Sequence, residues 1–493
     1  MRRAGEFLRT DSHVGRAVLG SILVRRYLGC LAATGIGVTL VIGTTGAAPA
    51  ASKVAISEIP AFARKYRTSC STCHTAAPKL NVLGEAFRLN GYRFPENDEL
   101  LRRDDPVPLG SDPWKDLWPR AIWPSDIPGY VPIALRFQAD IQLTREAEAD
   151  YSWSYRIPEE VYLLAASTLG DNISVLLETE WSRETDLEVV QAKVMFQDLV
   201  PSLPDRFLNL WFGMQNLYLF VLADRQIDRA ARQRFQWQDY RLSDLTLRNP
   251  ETGDELNSTN TFRLRQTQPS LELNGLLTGR LYYGLGLAQG VSDLTTDNNN
   301  AKDLYYRVRY KLGGLRLDGL YDPGDEPVLG GGGQLLDRSL TLEHFGYFGS
   351  QPVENDRQDD HRAWGVSARA LYGPLDLGGG FVWGSNDDPW GLALGSNVPF
   401  SSFFGKGEYL VFPWLIGSLK FDTFDSEIPD SIREQGFTVG SQDQTRILPG
   451  VVVLVRQNIR AVLEAELFTE HEASHQAGQP KPNNLWFRLD LSF

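Results

Sequence analysis

The sequence predicts a mainly β protein: a transmembrane barrel of about sixteen strands preceded by a short α-helical segment. Three observations carry that expectation. From Ile133 onward, apolar and polar residues alternate over stretches of about ten residues. Short turns marked by Gly, Pro or Asn alternate with long polar connections, as barrels with short inner turns and long outer loops require. The chain closes on the alternating stretch Leu485 to Phe493, which ends in an aromatic residue. Composition agrees, with 42% hydrophobic residues, 45 Gly, 12 Trp, 18 Tyr and 24 Phe, and a mean hydropathy of -0.27 that is too polar for a bundle of membrane helices.

The first 50 residues read as an export signal. Arginines run up to Arg25 and Arg26, an apolar stretch follows from Leu28 to Ile42, and small residues close it at Ala47, Ala48, Ala50 and Ala51. The apolar stretch is shorter than the roughly 20 residues a spanning helix needs, which argues against an uncleaved anchor. The segment holds six Arg and two acids, so its removal takes the formal net charge from -13 to -17. Such an acidic chain is a poor partner for nucleic acid. Cys30 leaves with the signal, and Cys70 and Cys73 remain as the only cysteines.

Residues 51–105 form the next unit. Cys70-Ser71-Thr72-Cys73-His74 is the C-x-x-C-H pattern of covalent haem attachment, in which two thiols one helical turn apart bond the porphyrin vinyl groups and the histidine ligates iron. A thioredoxin-like redox pair, half of a zinc site and a structural disulfide are the alternatives. The first lacks a βαβ context, the second lacks further ligands, and the third leaves His74 without a purpose. Ala63 to Cys70 and Leu80 to Asn90 read as two short helices. Val82, Leu83, Ala86, Phe87 and Leu89 give an apolar wall. About 40 residues cannot bury a haem alone, so this unit needs another surface.

The stretch Ile59-Pro60-Ala61-Phe62-Ala63-Arg64, the C-x-x-C-H pattern, Pro78 to Phe87 and Asn90-Gly91-Tyr92 together resemble the haem segment of fused outer-membrane cytochrome-porins of iron-oxidising bacteria. That resemblance covers residues 59–92 in motif and the mature chain in architecture. It implies a single covalent haem c at Cys70 and Cys73 with His74 as proximal ligand. It also implies electron transfer from extracellular Fe(II) to a periplasmic carrier such as a soluble cytochrome c, and an iron-oxidising activity of oxidoreductase type. Nothing in the barrel transfers residue by residue.

Residues 106–132, rich in Pro and Trp, read as a linker, and 133–493 as the barrel. The expected strands are 133–144, 158–169, 172–182, 187–198, 206–216, 261–274, 279–290, 303–312, 314–322, 362–372, 375–384, 403–412, 414–424, 446–457, 459–469 and 484–493. Ser339 to Phe348, although strand-like, is counted inside an outer loop so that the parity of turns and loops holds. A soluble β-sandwich or propeller does not explain an export signal together with a terminal Phe.

An even-stranded barrel in the bacterial outer membrane has both ends in the periplasm, so the haem segment can fold up into the lumen as plugs do. Residues 51–130 supply no Met and no second His for the distal iron position. Period two puts Met195 on the lumen face with Gln191, Lys193 and Gln197, which makes it the candidate distal ligand, while His344, His361, His471 and His475 fall in or near outer loops. Glu354, Asp356, Asp359 and Asp360 lead up to His361 and could attract a hard cation such as Fe(II), although a solvated acidic loop is the commoner explanation. Two other functions stay open: a conduit for a donor other than iron, and a porin-like channel in which the haem segment is a plug or sensor.

Overall fold

The computed structural model describes residues 61–103, 107–108, 126–127 and 129–493, except 146–150, 183–186, 223–234, 241–245, 250, 254, 292–298, 331–333, 355, 393–396, 427–428, 435–437, 440–443 and 472–482. The expected export signal, the start of the haem segment, most of the linker and His475 lie outside the described residues.

Sixteen antiparallel strands close into one barrel. They are β1 Ile133–Arg145, β2 Tyr151–Leu169, β3 Ile173–Ser182, β4 Glu188–Phe196, β5 Asn209–Asn216, β6 Thr267–Leu277, β7 Leu281–Ala288, β8 Asp303–Leu312, β9 Leu335–Val353, β10 Arg357–Gly373, β11 Leu375–Asn386, β12 Val398–Phe412, β13 Leu415–Ser426, β14 Gln444–Arg456, β15 Ile459–His471 and β16 Asn484–Ser492. Each pairs with its sequence neighbour, and β16 pairs with β1 from Asn484 opposite Thr144 to Ser492 opposite Arg136. Phe493 completes the seam by exchanging backbone hydrogen bonds with Leu135 at 2.7 and 2.8 Å. Closure leaves no sheet edge unpaired, which a β structure in lipid requires.

Alternation sets the two faces of the wall. In β8, Asp303, Tyr305, Arg307, Arg309 and Lys311 are buried inside, whereas Leu304, Val308, Tyr310 and Leu312 face outward and are exposed. The outer surface continues with half-exposed Leu285, Phe403, Leu419 and Leu463. An apolar belt of that extent belongs against lipid tails. Inside, buried ion pairs link neighbouring strands, as Arg309–Glu343 at 2.8 Å, Arg446–Asp422 at 2.7 Å and Arg488–Asp140 at 2.6 Å do, or reach across one strand, as Arg307–Glu272 at 2.7 Å does.

One expected strand is wrong and its replacement explains why. Residues 314–322 form no strand. Gly313 and Gly314 both take positive φ, 70° and 57°, which reverses the chain immediately after β8. Leu315 and Leu317 alternate as a strand would, but both are buried, and Leu317 packs against Tyr66 and Phe87 of the N-terminal segment. The barrel strand is β9, which contains the Ser339–Phe348 stretch assigned to a loop, so the count of sixteen stands. His344 accordingly lies in β9 rather than in an outer loop, with Tyr306 Oη 2.8 Å from its Nε2.

Two inserts occupy the lumen. From the end of the barrel that carries the short turns come α1 Ala61–Tyr66 and α2 Val82–Leu89; Tyr66, Phe87 and Leu89 of these helices, with Tyr92 just beyond them, pack with Met195, Trp211, Leu276 and Tyr282 of the wall. From the opposite end the β5–β6 connection turns inward. Its Leu217, Phe220, Leu222, Phe235 and Trp237 join Phe345, Val382, Phe404 and Phe424 of the wall in a second apolar core. A separate three-stranded patch of 246–248, 255–257 and 438–439 contributes Leu247 to a further apolar cluster with Trp390, Val398 and Ile432.

Candidate haem-attachment site

The attachment loop lies between α1 and α2 and is shaped by local hydrogen bonds. Cys70–Thr72 is one 3-10 turn, closed by Cys73 N donating to Cys70 O at 3.2 Å, which sets the two thiols one turn apart. Asn81 ties this turn to the start of α2. Its Oδ1 accepts from Gly84 N at 2.9 Å and caps α2, and its Nδ2 donates to the carbonyls of Ser71 and Thr72 at 3.2 and 3.1 Å. Helix α2 presses directly on the loop at Gly84, where a Cβ would stand 2.1 Å from Cys73 O. Sequence reasoning missed Asn81, although an Asn directly before an apolar helical stretch is a capping signal.

The segment is fastened around the ring. Arg64 Nη1 donates to the Val131 and Ile133 carbonyls at 3.1 and 2.5 Å, and Lys65 Nζ to Thr168 at 2.7 Å. Arg93 donates to Ser174 Oγ and to the Gly170 and Ile173 carbonyls, and Glu85 pairs with Arg369 at 2.6 Å. Lys79 bridges Asp376, at 2.8 Å, and Glu408. Arg206 donates to the carbonyls of Pro95 and Asp318, tying the 314–322 stretch to the segment.

Cys70 and His74 line a cavity of about 170 Å³ that opens to solvent. It reaches from the attachment loop to Arg136 and Asn458 on one sector of the wall, to Gln191 and Asn216 on another, and to Tyr218 of the β5–β6 connection. Both thiols are free, and burial pushes Cys70 up and Cys73 to about 12. Burial lowers His74 to about 4, which keeps its imidazole neutral, as a metal-ligating histidine must be. His74 lies against the backbone of Pro78 and Lys79, although its buried Nδ1 makes no hydrogen bond of good geometry among the described residues. Paired thiols, a neutral buried histidine and a cavity beside them fit a covalent haem.

The other sequence candidates fall elsewhere. Met195 faces the lumen as expected and is fully buried, but in the aromatic cluster of Phe87, Tyr92 and Trp211. It is not among the residues that line the cavity, and neither is any second His, Met or Lys among the described residues. Asp359 and His361 do not join an outer acidic surface. Asp359 is buried and accepts from Asn260, Asn386 and the Asp388 backbone, while His361 stacks on Phe262 at 4.1 Å. Glu354, Asp356 and Asp360 remain exposed. No group of three His, Cys, Asp or Glu is placed to hold a metal ion among the described residues.

Fold and cavity together define a sixteen-stranded membrane barrel whose lumen encloses a C-x-x-C-H loop. No protein-family profile matches the chain, and no curated protein matches it in sequence. Among solved structures, the chain is similar to a loop-deleted OmpT outer-membrane protein of Vibrio cholerae, at a TM-score of 0.47 and 11% identity over 73% of this chain and 98% of that one. An anion-selective porin from Comamonas acidovorans gives 0.47 and 11% over 73% and 98%, and Salmonella typhi OmpF in complex with daunomycin gives 0.48 and 10% over 73% and 97%.

Proposed function

We propose that this chain is an outer-membrane haem protein that passes electrons across the membrane through a plugged barrel, taking them from extracellular Fe(II) and delivering them to a periplasmic carrier. The observation that carries the reading is His74, held neutral by burial, beside two free cysteines and a cavity inside a closed wall. A haem bound there supplies a one-electron acceptor and donor. The chain's own part is to hold it. Cys70 and Cys73 attach it, His74 ligates iron, Asn81 and Gly84 shape the loop, and the two inserts exclude water and solutes around it. The choice of Fe(II) and of a soluble cytochrome partner rests on the family resemblance. The distal iron ligand expected at Met195 requires that residue to leave its aromatic cluster.

A second reading, a porin-like channel with residues 61–103 as plug, is favoured by the inner wall, whose charged and amide residues suit a watery lumen. The two separate experimentally. Haem-loaded, oxidised protein in detergent, mixed with Fe(II) without oxygen, should develop reduced-haem absorbance rapidly and show little single-channel conductance in a planar bilayer. A channel gives open-pore conductance, and haem that stays oxidised with Fe(II) removes the iron assignment.

A further inference from the structure

We infer that Tyr218 shields the distal side of the haem cavity, a role that rests on the haem reading above. Apart from His74, Tyr218 is the one aromatic ring among the described residues that line the cavity. It does not belong to a strand. The β5–β6 connection carries it into the lumen, and the buried side chains on either side, Leu217 and Phe220, fasten it there.

The residue is built into place at a cost. Its φ of 50° lies in the left-handed region that bulky side chains avoid. Tyr218 N donates to Asn216 Oδ1 at 3.1 Å, its hydroxyl donates to Gln191 Oε1 at 2.7 Å, and its carbonyl accepts from Arg307 at 3.0 Å. Two cations lie over its ring, Arg88 of α2 at 4.6 Å and Lys193 of β4 at 5.1 Å. Arg88 makes this the point where the two lumen inserts meet. The wall is cut to admit the loop: a Cβ at Gly365 would stand 2.7 Å from Phe220, and one at Gly378 the same distance from Leu222.

The chemistry gives the position a purpose. His74 would hold one side of an iron at this site, and no second His, Met or Lys lines the cavity among the described residues, so the remaining position would be open to small ligands unless it is covered. A haem that only relays electrons must keep dioxygen, water and anions from that side. A ring pinned by hydrogen bonds and two cations, delivered by an apolar loop, does so without ligating iron.

The test is cyanide binding to the ferric, haem-loaded full chain, followed by stopped-flow absorbance. Tyr218→Ala should bind cyanide at least tenfold faster than the wild type, while Tyr218→Phe, which keeps the ring, should stay within about threefold of it. Equal rates in wild type and Tyr218→Ala, with both barrels resisting denaturation in cold detergent as folded barrels do, would overturn the inference. If Tyr218→Ala does not fold, a Tyr218→Phe rate as fast as that of a haem peptide overturns it instead. Wild-type protein that carries no covalent haem breaks the underlying haem reading and is a different outcome from equal rates.

Discussion

The two inserts that fill the lumen are held by opposite physics. The N-terminal insert, residues 61–103, has a small aromatic core but is fastened to the wall at two sectors, by Arg64, Lys65 and Arg93 at β1 to β3 and by Lys79 and Glu85 at β10 to β12. The inward β5–β6 connection is fastened chiefly by burying Phe220, Leu222, Phe235 and Trp237 against wall aromatics. Directional polar contacts fix a position closely, which an attachment loop beside a cofactor needs. Apolar packing fills space and excludes water, which a seal needs. The difference assigns one insert to positioning and the other to closure.

The comparison can be broken from either side. The largest effect is expected at Gly84, because a side chain there collides with the Cys73 carbonyl. Gly84→Val should lower covalent haem per folded barrel at least tenfold, measured by absorbance against protein mass, and unchanged loading would refute the geometry of the loop. Trp237→Ala should cost the upper insert about 3–5 kcal/mol of packing. That would be seen as rapid chymotrypsin cleavage within 217–240, while exchange protection of α2 is retained. Lys79→Met should weaken docking of the lower insert by up to about 3 kcal/mol, discounted because Asp376 keeps Arg369 and Glu408 keeps Lys406. Hydrogen exchange of 74–80 reports it, and no change would mean that the bridge does not hold the insert.

Smaller again is Asn81→Ala, which removes a helix cap and two loop contacts and should cost about 1–2 kcal/mol. Faster exchange at Gly84 N is the readout. Lys65 supplies a pH dependence. Burial depresses its pKa from 10.5 to about 7, so between these values the undocked lysine binds a proton that the docked one has shed. Docking of the lower insert should therefore tighten as pH rises from about 7 to 10, and Lys65→Met should remove the trend. Protection that falls over this range in the wild type would contradict the buried placement.

Legibility in the sequence divides along the same line. Period-two alternation marks the wall because each wall residue meets either lipid or lumen, and the C-x-x-C-H loop is legible because its chemistry is local. The 314–322 stretch misled because Leu315 and Leu317 alternate like a strand while serving as a bed for α2 and Tyr66. The upper insert was invisible because Leu217 to Leu222 is an apolar stretch in a loop, and only tertiary placement tells an inward-folded loop from an outer one. Tyr218 carries no motif. Its importance arises from a cavity built by segments more than 140 residues apart in sequence. Met195 was placed correctly on the lumen face, but period two says nothing about which lumen neighbour it meets.

The central claim is that the loop at Cys70 to His74 carries a haem within this barrel. The most direct test is mass spectrometry of the tryptic peptide 68–79 from folded barrels produced in a host that attaches haem to C-x-x-C-H sequences. The account predicts a peptide heavier by one haem, lost in a Cys70→Ala, Cys73→Ala chain that still folds. An unmodified peptide, or one holding a Cys70–Cys73 disulfide, would contradict it.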